Sequence, residues 1–164
     1  MANVHSVRLK MDDIGSSLRE EILNANVEMF NTYNIKPTSL ASSMVPIDLD
    51  VTPMDNSKTH KEGVSYTYKG FVGYAPMMTY MGTEGFPVNT QLREGSQHCQ
   101  CHTPEFLRQT LELGRRLTDK QLLIRMDSGN DAAENLGILI EDGSRFIVKR
   151  NLPGENQNRT GLQR

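Results

Sequence analysis

Short apolar runs recur along the chain between turn-forming polar residues, and they predict five β-strands. Apolar runs of this length, bounded by Pro, Gly, Asn or Ser, are typical of buried strands. The predicted strands cover residues 47–52, 70–80, 86–93, 121–127 and 145–149, and the polar residues 55–69 predict a loop. Only the turn at residues 82–85 separates the second strand from the third, and short turns of this kind imply an antiparallel meander of the first three strands.

Three other stretches place apolar residues at helical spacing and predict helices at residues 12–33, 103–117 and 131–141. Asp12 or Asp13 is the predicted N-cap of the first helix. Thr103 is the predicted N-cap of the second, followed by Pro104 at the first helical position. The predicted apolar stripe of the first helix consists of Ile14, Leu18, Ile22, Val27 and Phe30.

The order of these elements is a helix, three antiparallel strands, and then helix, strand, helix and strand. Strand–helix–strand connections favour parallel pairing, so this order predicts an α/β fold in which helices cover the faces of a mixed sheet. We divide the chain into an N-terminal helix and connector (1–40), a core (41–150) and a flexible tail (151–164).

Composition limits the classes of function that the chain can have. Its 164 residues are enough for one domain with a sizeable core. No apolar run approaches the roughly 20 residues of a membrane span, and residues 1–10 contain no signal-like segment. We therefore expect a cytoplasmic protein with no membrane partner. The net charge of -2 argues against a free-standing nucleic-acid binder but permits a local basic surface.

Two aspartates lie at the ends of predicted buried strands, Asp50 in the first and Asp127 in the fourth. A carboxylate there is costly to desolvate unless it has a partner or a function. Two such strand ends side by side would form an oxygen-rich site for a hard divalent cation such as Mg²⁺. Asp48 competes with Asp50 as a ligand, because alternate side chains share one face of a strand. The alternative is that these aspartates only cap turns.

The segment His98-Cys99-Gln100-Cys101-His102 packs four potential zinc ligands into five residues. Structural zinc sites usually draw on two separated clusters, and the remaining histidines, His5 and His60, form no second cluster. We therefore favour an ordinary loop that carries two reduced thiols.

Lysines and aromatic residues are interleaved between the first strand and the second. The lysines could contact DNA phosphates while the aromatic side chains stack on bases. Equally, the segment could be a solvated hairpin whose aromatic residues belong to the core. The basic residues are Lys58, His60, Lys61 and Lys69, and the aromatic residues are Tyr66, Tyr68 and Phe71.

Four short motifs in this sequence resemble motifs of DDE transposases from bacterial insertion sequences, and they occur in the same order. The family resembled is the transposase DDE domain group 1 type. Asp50-Val51-Thr52 is similar to the Asp-x-Thr word of the first catalytic acid. Residues 68–76 (YKGFVGYAP) resemble an aromatic second strand, and residues 92–96 (LREGS) resemble a turn with the pattern LR-x-G-(N/S). Residues 125–129 (RMDSG) resemble the R-x-D-S-G word around the second acid. The resemblance covers roughly residues 48–150.

This resemblance implies a ribonuclease-H-like fold, in which the first and fourth strands carry neighbouring metal-binding acids. It implies that Asp50 and Asp127 are catalytic and bind Mg²⁺ or Mn²⁺. The intact family member would cut and join DNA, with transposon ends and target as its partners, and it could assemble with copies of itself.

The chain departs from the family pattern at the third catalytic acid, a glutamate on a later helix. Neither Glu134 nor Glu155 lies where the family places it, and the sequence ends 14 residues after Arg150. We therefore expect a truncated catalytic core that is inactive alone. The alternatives are a non-catalytic remnant that binds DNA or a full-length partner, and an unrelated metal-dependent nuclease that Glu134 completes.

Overall fold

The computed structural model describes the backbone of residues 4–150 and the side chains of residues 18–150. The predicted tail at 151–164 lies outside the described residues, and the division into three parts stays a prediction. The described elements are α1 (Val4–Thr32), β1 (Val45–Val51), β2 (Met54–Asp55), β3 (Ser65–Tyr66), β4 (Val72–Tyr74), β5 (Met77–Met81), β6 (Phe86–Gln91), α2 (Thr103–Leu117), β7 (Leu122–Met126), a 3-10 helix (Ser128–Asn130), α3 (Ala133–Asp142) and β8 (Arg145–Val148).

Five strands form the main sheet, in the order β6-β5-β1-β7-β8. β1 pairs with β5 antiparallel and with β7 parallel, β6 is antiparallel to β5, and β8 is parallel to β7. Val45, Ile47 and Leu49 of β1 are buried, as expected for the central strand of a covered sheet. The prediction of a mixed α/β sheet with its first and fourth strands adjacent is therefore confirmed.

The predicted second strand, residues 70–80, is wrong as a single element. It is divided into β4 and β5, and β4 leaves the main sheet to form a small sheet of order β2-β4-β3. The break falls at Ala75 and Pro76, where proline has no N–H to donate to a ladder. There the chain changes partners: Ala75 N donates to the Arg93 carbonyl at 2.9 Å, and Thr52 N donates to the Pro76 carbonyl at 3.0 Å.

The predicted loop at residues 55–69 contains structure that its polar composition concealed. β2 ends at its first residue, Asp55, β3 lies near its end, and both strands pair with β4. A Cβ atom on Gly73 of β4 would lie 1.9 Å from the Met54 carbonyl oxygen, so only glycine lets the two strands approach this closely. The small sheet therefore depends on close backbone approach at a glycine and not on an alternating apolar pattern.

Helix α1 differs from its prediction at the N-terminus and in its buried face. It begins at Val4, so Asp12 and Asp13 lie inside the helix and are not caps. Leu18 and Ile22 are 49% and 58% exposed, because repeated steps of four residues rotate about 40° away from the core at 3.6 residues per turn. Ile14 lies outside the described side chains. The buried face consists of Leu23, Val27 and Phe30.

The core lies between the main sheet and helices α1 and α2. The Phe30 ring of α1 packs edge-on against Phe86 of β6, with centroids 5.1 Å apart. A Cβ atom on Gly114 of α2 would lie 3.1 Å from Ile47 Cδ1, which shows how closely this helix approaches β1. Burying an aliphatic side chain of this kind contributes about 1.5–3 kcal/mol, so this contact holds the centre of the sheet.

Helix α2 begins at the predicted residue, but its cap was predicted wrongly. His102, in the left-handed conformation at φ 56°, is the N-cap and makes no side-chain capping bond. The Thr103 hydroxyl does not cap the helix; it donates to the Cys99 carbonyl at 2.5 Å and accepts from Arg93 Nη1 at 3.4 Å. Helix α3 ends at Gly143, whose φ of 75° suits a C-terminal glycine, and this end was predicted correctly.

Within residues 4–150, α1 to α3 each lack the combination of length and apolar character that a membrane-crossing helix requires.

Candidate metal centre

The parallel pairing of β1 and β7 carries two aspartates to the same edge of the main sheet. Its last register pair is Leu49 with Met126. Continued by one residue along both strands, this register would set Asp50 opposite Asp127. Neighbouring strands lie about 4.8 Å apart, so we expect the two carboxylates to leave the sheet side by side. Both residues are exposed, which leaves them open to an ion from solvent.

Tyr68, in the turn between β3 and β4, lines the same cavity as Val51 and Asp127, so this turn faces the ends of β1 and β7. The pKa of Tyr68 is raised above its usual value, first by desolvation and then by the negative charges of Asp50 and Asp127, which disfavour the phenolate.

Asp127 has one oxygen committed to its own turn. Its Oδ1 accepts hydrogen bonds from Gly129 N at 3.1 Å and from Asn130 Nδ2 at 2.9 Å. Asp127 is also the N-cap of the 3-10 helix, so the turn-capping interpretation describes part of what it does. These bonds orient the carboxylate without occupying Oδ2, so capping a turn and binding a cation are compatible roles for this residue.

A buried asparagine pair supports Asp127 from behind, and the sequence analysis missed it. Asn130 and Asn135 are each 1% exposed. Asn135 Nδ2 donates to the Asn130 carbonyl at 3.0 Å, and the Asn130 side chain in turn donates to Asp127. In the sequence, Asn130 and Asn135 follow Asp127 by three and eight residues. No simple periodicity marks this spacing, so it gave no sign of the support.

Asp50 is held more loosely than Asp127. Its Oδ1 accepts a hydrogen bond from Val51 N at 2.8 Å, within its own strand. Its remaining carboxylate oxygen is available at the strand end beside Asp127.

Asp48, predicted as a competing ligand, has a different partner. It is the register partner of Arg125, and the guanidinium donates to both of its oxygens, Nε to Oδ1 and Nη2 to Oδ2, each at 2.5 Å. These bonds raise the pKa of Arg125. Asp48 could bind a cation only by leaving this bidentate pair, so Asp50 is the more available of the two carboxylates.

The donor set fits one hard divalent cation. Carboxylate oxygens are the ligands that Mg²⁺ and Mn²⁺ prefer, and Mg²⁺ commonly keeps several waters beside one or two carboxylates. Among the described side chains, 18–150, there is no group of three or more His, Cys, Asp or Glu arranged to hold a metal. The described residues therefore supply a pair of acids, and Glu134 does not complete a cluster with them.

A cavity of about 560 Å³ opens beside the two acids. Its walls come from three places: the Tyr66–Tyr68 segment, the loop at residues 95–99, and the turn Asp127–Gly129. The loop is fastened to both neighbours, because Ser96 N donates to Ser65 Oγ at 2.7 Å and Cys99 Sγ donates to the Gly129 carbonyl at 2.9 Å. Cys99 thus acts as a hydrogen-bond donor between the loop and the turn.

Arg93, which the sequence analysis quoted only as part of a motif, fixes the rear of this loop. It is 3% exposed, and burial lowers its pKa. Its Nη1 donates to the Cys99 carbonyl at 3.1 Å, and its Nε and Nη2 donate to Gln91 Oε1 at 2.9 and 2.7 Å. The guanidinium therefore ties β6 to the cavity wall.

The lysines and tyrosines in β3 and in the connections of the small sheet face solvent. Lys58, Lys61 and Lys69 are exposed, and Lys69 Nζ lies 5.2 Å from the centroid of the Tyr68 ring. Tyr66 and Tyr68 are 66% and 68% exposed, so the interpretation of these two as core aromatics is wrong. Lys69 is the lysine that the structure places beside the cavity, and the DNA-contacting role of all three stays a prediction.

The sequence matches the family described as Transposase DDE domain group 1 over residues 9–152. The match covers most of the 164 residues, so the chain belongs to this family of transposase domains. The DDE transposase prediction is confirmed at this level. Members of the family typically use a divalent metal, which agrees with the donor set at the ends of β1 and β7.

Among solved structures, the chain is similar to the piggyBac transposase in a cryo-EM structure of its synaptic complex with hairpin DNA. The two chains are 12% identical with a TM-score of 0.45, and the similarity covers 93% of this chain. This chain spans about a third of the length of that transposase, 32%. No curated protein matches the sequence.

Proposed function

We propose that residues 41–150 are a ribonuclease-H-like catalytic core of a DDE transposase, in which Asp50 and Asp127 bind Mg²⁺ or Mn²⁺ for phosphoryl transfer on DNA. The observation that carries this proposal is the parallel register of β1 and β7, which ends at Leu49 with Met126 and would set the two acids side by side if it continued by one residue. Family membership supports the reaction class, and the sheet order with β1 between an antiparallel and a parallel neighbour supports the fold.

The residues of the chain have distinct tasks in this site. A bound cation would polarise the scissile phosphate and the attacking water. Asp127 supplies an oxygen whose direction is set by Gly129 and Asn130, while Asp50 supplies one from the neighbouring strand. Arg125 pairs with Asp48 and neutralises its charge. In this pair, Asp48 lies two residues before Asp50 in β1, and Arg125 of β7 lies two residues before Asp127. The site thus offers a fixed ligand beside a looser one.

We propose that the chain does not cleave DNA by itself. Two-metal phosphoryl transfer needs both ions held roughly 4 Å apart, and the described residues supply two suitable acids. A third would have to come from outside them or from another chain. DNA remains the proposed partner, as transposon ends and target. In this interpretation Glu134, exposed in the first turn of α3, has no part in the reaction.

A thermal melt with Mn²⁺ tests the metal site directly. A ligand that binds only the folded state stabilises it by about 1.4 kcal/mol at roughly ten times its Kd, which corresponds to about 3–5 °C for a domain of this size. We expect this shift in the wild type and its loss in both Asp50→Asn and Asp127→Asn. Asparagine keeps the Oδ1 acceptor that Asp50 offers to Val51 N and that Asp127 offers to Gly129 N, so the metal-free variants should remain folded.

The matched control is Asp119→Asn, an exposed aspartate in the connection between α2 and β7. It should keep the full Mn²⁺ shift. An equal shift in the wild type and in the Asp50 and Asp127 variants would refute the site. Metal-dependent nicking of DNA that is lost in Glu134→Gln would instead favour the complete nuclease.

A further inference from the structure

The segment around Tyr68 presents two aromatic rings at the mouth of the cavity. Thr67 is 2% exposed and points inward, whereas Tyr66 and Tyr68 on either side of it are about two-thirds exposed. Side chains alternate along an extended chain, so the two tyrosines project together, away from Thr67. Large exposed aromatic rings beside a cavity commonly serve recognition, because exposing them to water without a partner is unfavourable.

A tight turn holds these rings in place. Gly70 N donates to the Thr67 carbonyl at 3.0 Å, and both the backbone N–H and the hydroxyl of Thr67 donate to the Phe71 carbonyl, at 2.8 and 2.9 Å. Tyr68 and Lys69 are therefore the two central residues of a closed turn. Because the backbone is ordered before any ligand arrives, little conformational entropy would be lost when a ring stacks on a partner.

The charges around the cavity select what could enter it. Asp50 and Asp127 repel a phosphate, whereas a neutral, flat ring experiences no such repulsion. Lys69, whose amine lies 5.2 Å from the Tyr68 ring, places a positive charge at the rim, where a phosphate could remain outside. A volume of about 560 Å³ lies within the range of roughly 300–1,000 Å³ of small-ligand pockets.

We infer that this cavity binds one unpaired nucleobase of a DNA strand, stacked on Tyr66 or Tyr68, while the adjoining phosphate lies near Lys69. The inference rests on the proposed action on DNA and adds to it a base-binding subsite next to the acids. Stacking of this kind is tolerant of sequence, because every base presents a flat π-face. The subsite would hold a strand in position through its base and leave the acids clear for the phosphodiester.

Binding of short single-stranded DNA in EDTA tests the inference without any contribution from metal. We would compare a labelled oligothymidine with an abasic strand of the same length by fluorescence anisotropy, at about 20 mM salt to keep phosphate contacts strong. The wild type should bind the base-bearing strand about tenfold more tightly, the effect expected for one stacked base. Tyr66→Ala combined with Tyr68→Ala should remove this preference, and the same pair changed to Phe should keep it.

Tyr33→Ala is the matched control, because Tyr33 is 73% exposed and does not line the cavity. It should leave the preference intact. Equal binding of both strands by the wild type, no binding of either, or a preference that survives the double alanine change would overturn the inference. Asp50→Asn should keep the preference while abolishing the Mn²⁺ shift, so failure of the metal site and failure of the base site are distinguishable.

Discussion

The centre of the main sheet and the small sheet build opposite sides of one site by different means. β1 and β7 are paired over five residues, and Ile47 and Ile124 at their centre are fully buried. β2, β3 and β4 contain two or three residues each, and most of their side chains are partly or fully exposed. Backbone hydrogen bonds, close approaches at Gly73 and Gly95, and a closed turn hold the small sheet, and it contributes no residue to the main core cluster.

This difference agrees with the tasks that we propose for the two sides. Carboxylates that share a cation must be positioned closely, and strands fixed by a packed core provide that precision. A surface that contacts a long substrate benefits from exposed rings and long amines on an element of low local stability. The comparison predicts that core substitutions will damage the whole molecule, whereas changes in the small sheet will damage only the substrate side.

The largest expected effect is that of Ile47→Ala in β1. Ile47 is 0% exposed and packs against α2, so truncation removes buried area and leaves a cavity that costs about 3 kcal/mol in the free energy of unfolding. Val72→Ala in β4, where the side chain is 37% exposed, should cost less than about 1 kcal/mol. Chemical denaturation monitored by circular dichroism measures both. Comparable losses for the two variants would contradict the contrast between the sheets.

Gly73→Ala should damage the small sheet and leave the acids at the ends of β1 and β7 unaffected. The new Cβ would lie 1.9 Å from the Met54 carbonyl oxygen, so β2 must move, at a cost of about 1–3 kcal/mol. Because β1 and β7 are untouched, we expect the Mn²⁺ shift to survive while binding of single-stranded DNA weakens.

Gly137→Ala provides the control for that substitution. Its Cβ would meet nothing within 4 Å, and alanine inside α3 should stabilise the protein by about 0.5–1 kcal/mol. Loss of the Mn²⁺ shift in Gly73→Ala, with DNA binding intact, would show that the small sheet supports the acids rather than the substrate.

The same contrast explains how much of the molecule the sequence could predict. The main sheet and the bounds of α2 followed from apolar runs and turn residues, because burial imposes those patterns. The small sheet escaped prediction because it depends on Gly73 and on a change of partners at Pro76, which leave no periodic signal.

The candidate site was predictable in part for a related reason. Asp50 and Asp127 were identified as strand-end acids and through family resemblance. The bond between Asp48 and Arg125, 77 residues apart in sequence, depends on strand register, which the sequence alone did not set. The support of Asp127 by Asn130 and Asn135 depends on a turn and a helix start that are local but aperiodic.

Arg125→Gln tests whether Arg125 keeps Asp48 from binding a cation beside Asp50. It releases Asp48 beside Asp50 and removes a positive charge, so the stabilisation by Mn²⁺ should increase. The loss of a half-exposed ion pair should cost less than about 1 kcal/mol without metal. Arg115→Gln removes a similar ion pair, with Asp142 at 2.9 Å, away from the acids and should leave the Mn²⁺ response unchanged. A weaker Mn²⁺ response in Arg125→Gln would mean that Arg125 positions the acids instead of competing for Asp48.

The smallest expected effect is on the ionisation of Tyr68, which joins the two sides of the site. Its pKa is raised by burial and then by Asp50 and Asp127, so the folded state favours the protonated phenol. Its contribution to stability is therefore fully present below the unfolded pKa of about 10 and is lost as pH rises through the folded value. Absorbance at 295 nm, taken as the difference between wild type and Tyr68→Phe, follows this ionisation. Asp50→Asn and Asp127→Asn should each lower the pKa of Tyr68 part of the way, because burial remains the larger cause. Asp119→Asn should leave it unchanged, and an unaltered titration in both acid variants would show that the small sheet does not face the acids in solution.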